Sequence, residues 1–319
     1  MIEVRNLKKH FVAKESLING QKELIHAVNG IDLKIEQGQT LGLVGESGSG
    51  KSTTGRLILR LLEPTSGSVL LDGRDISTIS SREFRGLRKD LQMVFQNPYS
   101  ALDYKMTIED ILIQPLQIHK IVPPLSYKEE VYRLLDLVGL DKASARKFPH
   151  EFSGGQRQRI GIARAISTNP RFIVCDEPVS ALDVSVQSQI LNLTMDLQKE
   201  LGIAYLFIAH DLNVIKHVSD QVAVMYLGKI VEMGEAEELF RDPRHPYTKA
   251  LMAAVPGQGT QKMDERRSLK GEIPSSLDLP KGCPFHTRCP YVMDICKDTA
   301  PMLMVRSGRQ VACHLEGRL

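Results

Sequence analysis

No stretch of these 319 residues approaches the ~20 consecutive apolar residues that a membrane span needs, so any association with a membrane has to run through a partner. The opening residues, Met1-Ile2-Glu3-Val4-Arg5, lack a basic leader followed by an apolar run, and the expectation is a chain that stays in the cytosol. Charge of one sign is also scarce. A net charge of +3 is too small to argue for nucleic acid or for strong attraction to a lipid surface. Internal repeats and low-complexity blocks are missing as well. What remains is ordinary for a soluble globular protein: 42% hydrophobic and 25% charged residues. The length points to a large domain with a smaller appendage.

The five cysteines are unevenly placed. Cys175 stands alone, while Cys283, Cys289, Cys296 and Cys313 crowd into the C-terminal stretch. In a reducing cytosol that crowding points away from disulfides.

Hydrophobic patterning divides the chain. Thr40-Leu41-Gly42-Leu43-Val44 reads as a buried strand before a glycine turn, and from Lys51 the spacing of Leu57, Ile58, Leu61 and Leu62 predicts a helix stopped by Pro64. Asn19-Gly20 reads as a hairpin tip between Ser16-Leu17-Ile18 and Leu24-Ile25. Between Ile108 and Gly139 no strand pattern appears. Leu134, Leu135 and Val138 recur at helical spacing, interrupted by Pro115, Pro123 and Pro124, which suggests a helical insertion in an α/β core. Arg171–Cys175 and Ala204–Ile208 then return as buried strands of a parallel sheet around a helix near Val184–Leu201, and Val222–Met225 adds another strand. Beyond Phe240 prolines multiply and periodicity fades, so the domain boundary is placed near Arg241.

Gly45-Glu46-Ser47-Gly48-Ser49-Gly50-Lys51-Ser52 matches the G-x-x-x-x-G-K-[ST] phosphate loop, directly after a strand and before a helix. Its glycines let backbone N–H groups turn towards phosphate oxygens, and the helix start adds partial positive charge. Lys51 can reach the β- and γ-phosphates while Ser52 holds Mg²⁺. A Gly/Ser-rich loop that binds nothing would not need this strand and this helix. Phe172-Ile173-Val174-Cys175 then carries Asp176 and Glu177 to the C-terminal tip of a buried strand, where α/β sheets bind ligands. Asp176 suits the Mg²⁺ shell, and Glu177 suits a general base that polarises the attacking water.

At this point the residues resemble a family. Phe152-Ser153-Gly154-Gly155-Gln156 followed by Arg157-Gln158-Arg159 is similar to the signature of ATP-binding cassette (ABC) ATPases. Gln96 after Met93-Val94-Phe95 resembles their Q-loop, Ser180-Ala181-Leu182-Asp183 their D-loop, and His210 after Phe207-Ile208-Ala209 their switch histidine. The resemblance spans roughly residues 1–240 and implies a phosphate-loop ABC core with an inserted helical subdomain (about 97–157) and an antiparallel β subdomain. It also implies that Ser153, Gly154, Gly155, Gln156 and Asp183 complete the ATP site of a second subunit. His210 would contact the γ-phosphate, and Gln96 would touch Mg²⁺ and the lytic water. Phe11 looks like the aromatic that stacks on adenine, with a packed core ring as the other reading. The nucleotide set is then Phe11 with Gly45, Glu46, Ser47, Gly48, Ser49, Gly50, Lys51, Ser52 and Thr53, and the Mg²⁺ set Ser52, Gln96 and Asp176.

Tyr99-Ser100-Ala101-Leu102, Phe148-Pro149-His150-Glu151, His245-Pro246-Tyr247-Thr248-Lys249-Ala250-Leu251 and Cys283-Pro284-Phe285-His286-Thr287-Arg288-Cys289-Pro290 resemble the oligopeptide/dipeptide importer ATPases. Within that group, Cys175-Asp176-Glu177-Pro178-Val179-Ser180-Ala181-Leu182-Asp183 and Gln156-Arg157-Gln158-Arg159-Ile160-Gly161-Ile162-Ala163-Arg164-Ala165 resemble the F-type subunit. That resemblance implies a heterodimer with a related D-type ATPase, two permease subunits and an extracytoplasmic substrate-binding protein. The chain would then sit on the cytoplasmic face of the inner membrane, with no nucleic-acid partner. Relatives with this tail import nickel chelates or glutathione, so cargo identity lies in other subunits. A soluble repair or translation ABC ATPase would need two cassettes or long coiled coils. A non-hydrolytic module would be expected to lose Glu177, His210 or the Ser153 motif.

The tail, residues 241–319, is expected to be an irregular Cys-rich extension. Its spacing C-x5-C-x6-C-x16-C lacks the close pairs of zinc ribbons. A four-Cys iron–sulfur cluster tolerates such spacing, and Cys-Pro occurs twice. A structural [4Fe–4S] cluster is therefore favoured, with Zn²⁺ as the alternative, His286 and His314 in reserve, and four reduced thiols as the plain reading.

Overall fold

The computed structural model describes residues 1–15, 22–254, 271–306 and 308–315. In chain order its strands are β1 (Ile2–Glu15), β2 (Lys22–Ile35), β3 (Thr40–Val44), β4 (Ser66–Leu71), β5 (Arg74–Asp75), β6 (Leu91–Val94), β7 (Phe172–Asp176), β8 (Ala204–Ile208), β9 (Gln221–Tyr226), β10 (Lys229–Glu235), β11 (Met304–Arg306) and β12 (Arg309–Val311). The helices are α1 (Lys51–Ile58), α2 (Ser81–Leu87), α3 (Pro98–Ala101), α4 (Ile108–His119), α5 (Tyr127–Leu137), α6 (Gly154–Ile166), α7 (Val184–Leu201), α8 (Leu212–Val218), α9 (Ala236–Arg241), α10 (Pro246–Ala253) and α11 (Asp294–Asp298). The Asn19-Gly20 turn lies outside the described residues. Among the described residues no helix is long and apolar enough to cross a membrane.

The chain forms two compact units. One comprises Met1–Lys34, Leu41–Ser77 and His210–Leu319, the other Ile35–Thr40 and Thr78–Ala209. In the first, a sheet of order β2-β1-β4-β5 has β1 antiparallel to β4 and β4 antiparallel to β5. A second set of strands in the same unit runs β11-β12-β10-β9-β3. Here β3 is parallel to β9, pairing Leu43 with Ala223, while β10 is antiparallel to both β9 and β12. All five residues of β3 are buried, which is why an unbroken apolar run rather than an alternating one encodes it. The C-terminal stretch is thus not wholly irregular: β12 extends the set through Glu232 opposite Val311, and α10 and α11 are short helices. Elements of three to eight residues leave almost no periodicity to read.

In the second unit β6, β7 and β8 are parallel, with Val94 opposite Cys175 and Cys175 opposite Phe207. Every residue of β7 and β8 is buried. The expected helical insertion is present as α3, α4 and α5. Thr107 caps α4 by accepting from the Asp110 N–H, and two acids in the first turn suit its dipole. Pro115 does not interrupt this segment; it sits inside α4, whose buried Ile111, Leu112 and Leu116 hold the helix despite the lost N–H. In the first unit α1 stops short of Leu62. Arg60 adopts a left-handed φ of 49°, and Leu61 faces solvent.

Candidate active site

The phosphate loop is shaped by two glycines that nothing else could replace. Gly45 has φ 152°, and a Cβ there would lie 2.1 Å from the Met225 carbonyl oxygen. Gly50 has φ 107°, and a Cβ there would lie 2.1 Å from the Ala27 carbonyl oxygen. Gly50 caps α1 without offering a side-chain acceptor. The loop closes on itself: the Lys51 ammonium, almost wholly buried, donates to the carbonyls of Gly45 at 2.8 Å and Glu46 at 3.0 Å. The buried Ser49 hydroxyl has no hydrogen-bond partner within the protein. Buried hydroxyls are normally satisfied, so this one marks a place for an external polar group. A cation, a helix start and an orphaned hydroxyl in one loop suit a polyphosphate.

Side chains from the C-terminal stretch brace this loop. The buried Tyr247 hydroxyl accepts from the Glu46 N–H at 2.9 Å, and Arg288 grips the Glu46 carboxylate with two bonds of 2.7 and 3.0 Å. Tyr226, Tyr247 and Phe285 pack their rings with centroids 4.6–5.4 Å apart. No local pattern signals these contacts. Phe11 is half-buried on β1, with the Lys9 ammonium 5.1 Å from its ring centroid, so part of its face remains accessible. His210 is exposed just ahead of α8.

The second unit carries the carboxylates. Asp176 ends β7 buried, and Glu177 follows at a left-handed φ of 49°, its N–H bonded to the Ile208 carbonyl at 2.9 Å. A non-glycine residue held at positive φ beside a strand tip is strain of the kind found at reactive sites. Gln96 donates to the Glu177 carboxylate at 2.7 Å, so two residues 81 apart in sequence meet. Ser153 caps α6 with a full capping box: its hydroxyl accepts from the Gln156 N–H, and Gln156 accepts from the Ser153 N–H. A Cβ on Gly155 would lie 2.4 Å from the Val186 side chain, which requires glycine there. Asp183 sits at the N-cap of α7. Arg157 lies 3.9 Å above the Tyr99 ring and donates to its hydroxyl, tying the segment after Gln96 to the start of α6.

The four clustered cysteines come together. Cys283, Cys289, Cys296 and Cys313 line one small cavity with Phe285, His286, Tyr291 and His314. Burial pushes the Cys283 and Cys289 thiols up to about 11, so both are protonated at neutral pH. Among the described residues, however, no set of three or more His, Cys, Asp or Glu side chains stands where it could hold a metal ion. The expectation of a preformed ligand set is corrected to that extent: the sulfurs share a cavity without converging on a point.

A strand–loop–helix phosphate cradle in one unit, and an Asp-Glu strand tip with a glycine-rich helix start in the other, are the parts of a nucleotide-hydrolysing cassette. Residues 28–180 match the ABC transporter family, and residues 231–296 match the oligopeptide/dipeptide transporter C-terminal region. The chain is 49% identical over 319 residues, 99% of its own length and 95% of the relative's, to a putative oligopeptide transport ATP-binding protein, YkfD, of Bacillus subtilis. It is 48% identical to the oligopeptide transport ATP-binding protein AppF of the same organism, covering 99% of this chain and 97% of that one. It is also 45% identical to the di/tripeptide transport ATP-binding protein DppF of Pseudomonas aeruginosa, covering 98% and 97%. Among solved structures, the dimeric post-hydrolysis ATP-binding cassette MJ0796 bound to ADP and Pi aligns with a TM-score of 0.66 at 28% identity, covering 74% of this chain and 99% of that one. The chain belongs to the ABC transporter ATPases, in the group that carries the oligopeptide/dipeptide C-terminal region.

Proposed function

We propose that this chain is the ATP-hydrolysing subunit that energises import of di- and oligopeptides through a membrane transporter. The observation that carries the reading is the end-to-end match to peptide-transport ATP-binding proteins, cassette and C-terminal region together. ATP enters with its triphosphate against the phosphate loop, where Lys51 exchanges the Gly45 and Glu46 carbonyls for phosphate oxygens and the Ser49 hydroxyl gains a partner. Phe11 offers its ring face to adenine. Ser52, Gln96 and Asp176 are the residues that would hold Mg²⁺, which would neutralise phosphate charge. Glu177 accepts the proton of the attacking water, once Gln96 no longer occupies its carboxylate, and His210 contacts the γ-phosphate. Ser153, Gly154, Gly155, Gln156 and Asp183 serve the ATP site of a second ATPase. That second subunit is a related D-type ATPase in a heterodimer, seated with two permeases and an extracytoplasmic binding protein at the cytoplasmic face of the inner membrane.

The four cysteines of the extension are read as ligands of a structural [4Fe–4S] cluster, with Zn²⁺ as the alternative. Their shared cavity supports this, although metal binding would have to draw the sulfurs together, since no such set stands ready among the described residues. A bound cluster would cross-link residues 283 to 313 and would need the four sulfurs as thiolates. Absorption near ~400 nm in anaerobically purified protein supports the cluster; stoichiometric zinc without that band supports the alternative.

The test of the motor role is Glu177→Gln. Hydrolysis should fall by ~10²–10⁴ while ATP binding persists and a closed dimer accumulates. In cells lacking the gene, growth on peptides as the source of a required amino acid should return with the wild-type chain and not with Glu177→Gln. Hydrolysis by the variant at the wild-type rate sinks the assignment of the base, and peptide growth unaffected by deletion sinks the cargo.

A further inference from the structure

The Arg288–Glu46 pair joins residues 242 apart in sequence, and Arg288 has no part in the motifs of the cassette. Arg288 lies between Cys283 and Cys289, and its side chain is only 5% exposed against 20% for Glu46. Both terminal nitrogens bind the carboxylate, and one also reaches the Tyr226 hydroxyl at 3.4 Å. A bidentate fork fixes the plane of a carboxylate as well as its charge. Glu46 is the second residue of the phosphate loop. Its N–H is held by Tyr247 and its carbonyl by Lys51, so three of its groups are anchored, two of them by the C-terminal stretch. An unpaired carboxylate at this position would put a negative charge beside a site built for polyphosphate. At separations of several ångströms and an effective dielectric near 20, such repulsion is large enough to lower affinity measurably.

We propose that Arg288 is a positioning residue for the phosphate loop: by clamping and neutralising Glu46 it lets the loop accept ATP, so the cysteine-bearing extension sets the affinity of the nucleotide site. This rests on the reading of the loop as an ATP site. It assigns the extension a direct part in nucleotide binding, in addition to any metal it holds. Because the clamp acts by masking charge, removing the masked charge should relieve the loss of the clamp. A merely structural arginine would not behave so.

The experiment is calorimetric titration of Mg-ATP into the full-length chain. Arg288→Gln should weaken binding about tenfold, since the loop keeps an uncompensated carboxylate. Glu46→Gln combined with Arg288→Gln should bind within about threefold of wild type. Arg288→Lys, which keeps a cation beside Glu46 without the fork, should bind within about threefold of wild type, and this variant decides the matter if Arg288→Gln fails to fold. Wild-type affinity in Arg288→Gln, a double variant as weak as Arg288→Gln, or a tenfold loss in Arg288→Lys would each overturn the inference. Failure of the wild-type chain to bind Mg-ATP would instead overturn the reading of the loop, whatever Arg288 does.

Discussion

The phosphate loop and the C-terminal extension occupy the same compact unit, yet they are held in opposite ways. The loop is a backbone object: glycines at positive φ, carbonyls gripped by the lysine that follows, and bonds such as Gly228 N–H to the Ser49 carbonyl at 2.9 Å. The extension is a side-chain object. Buried Glu232 on β10 accepts from the Arg244 and His245 N–H groups at 2.9 Å each, and Arg309 on β12 bonds Asp242 at 2.8 Å. Its Phe285 ring meets Tyr226 edge to face, and its thiols share a cavity. A backbone object fails by steric intrusion and hardly notices pH. One held by buried ionisable groups fails when those groups change charge.

The largest effect should come from an attack on the loop's sterics. Gly50→Ala drives a Cβ into the Ala27 carbonyl at a φ that alanine avoids, and should cost about 4 kcal/mol or abolish ATP binding outright. Gly48 has a positive φ too, but a Cβ there meets nothing within 4 Å, so Gly48→Ala should cost only about 1 kcal/mol. Thermal denaturation of the two variants, side by side, separates crowding from conformational strain. Equal losses would break the account of the loop as a close approach of two backbones. Next in size is Lys51→Ala, which removes a buried cation and its charge-assisted bonds. ATP affinity should fall by about 10²-fold, read by equilibrium binding, with little change in the pH dependence of stability. Undiminished binding would count against the loop as the ATP site.

The same contrast explains what could be read from sequence. Gly45 to Ser52, Asp176 with Glu177, and Ser153 to Gln156 are legible because their geometry is local: a strand, a turn and a helix start within a dozen residues dictate which residue types fit. The Gln96–Glu177 hydrogen bond is not: motif order marks both residues without saying that they touch. The roles of Arg288 and Tyr247 are invisible by such means, because their shared partner Glu46 is 242 and 201 residues away and each is an ordinary residue in its own neighbourhood. The cysteine spacing shows a cluster in sequence but not that the sulfurs would line one wall without converging. Pro115 and Leu61 mislead for a related reason. Packing of Ile111, Leu112 and Leu116 keeps a proline inside a helix, and a left-handed Arg60 ends one early, and neither is written in hydrophobic spacing.

The extension supplies the effect that depends on pH. His245 caps α10, its Nδ1 accepting from the Tyr247 N–H at 3.1 Å, and complete burial drops its pKa from 6.5 to about 3. In the unfolded chain the ring regains its ordinary value near 6.5. Between 6.5 and 3 the unfolded state therefore binds the proton more readily, and stability is present above about 6.5 and lost as the pH falls. At pH 5 the loss from this group is about 2 kcal/mol, from 1.36 kcal/mol for each of 1.5 pH units. Glu232 works against it at lower pH, because burial raises its pKa and the folded state takes up a proton first there. His245→Asn keeps an acceptor at the helix cap but cannot titrate. It should be less stable than wild type at pH 7, yet change little between pH 7 and 5, so the gap between the two narrows by about 2 kcal/mol in denaturant titrations at the two pH values. A variant that loses stability in parallel with wild type would mean that the acid sensitivity does not come from His245, and the contrast between loop and extension would lose its pH-dependent arm.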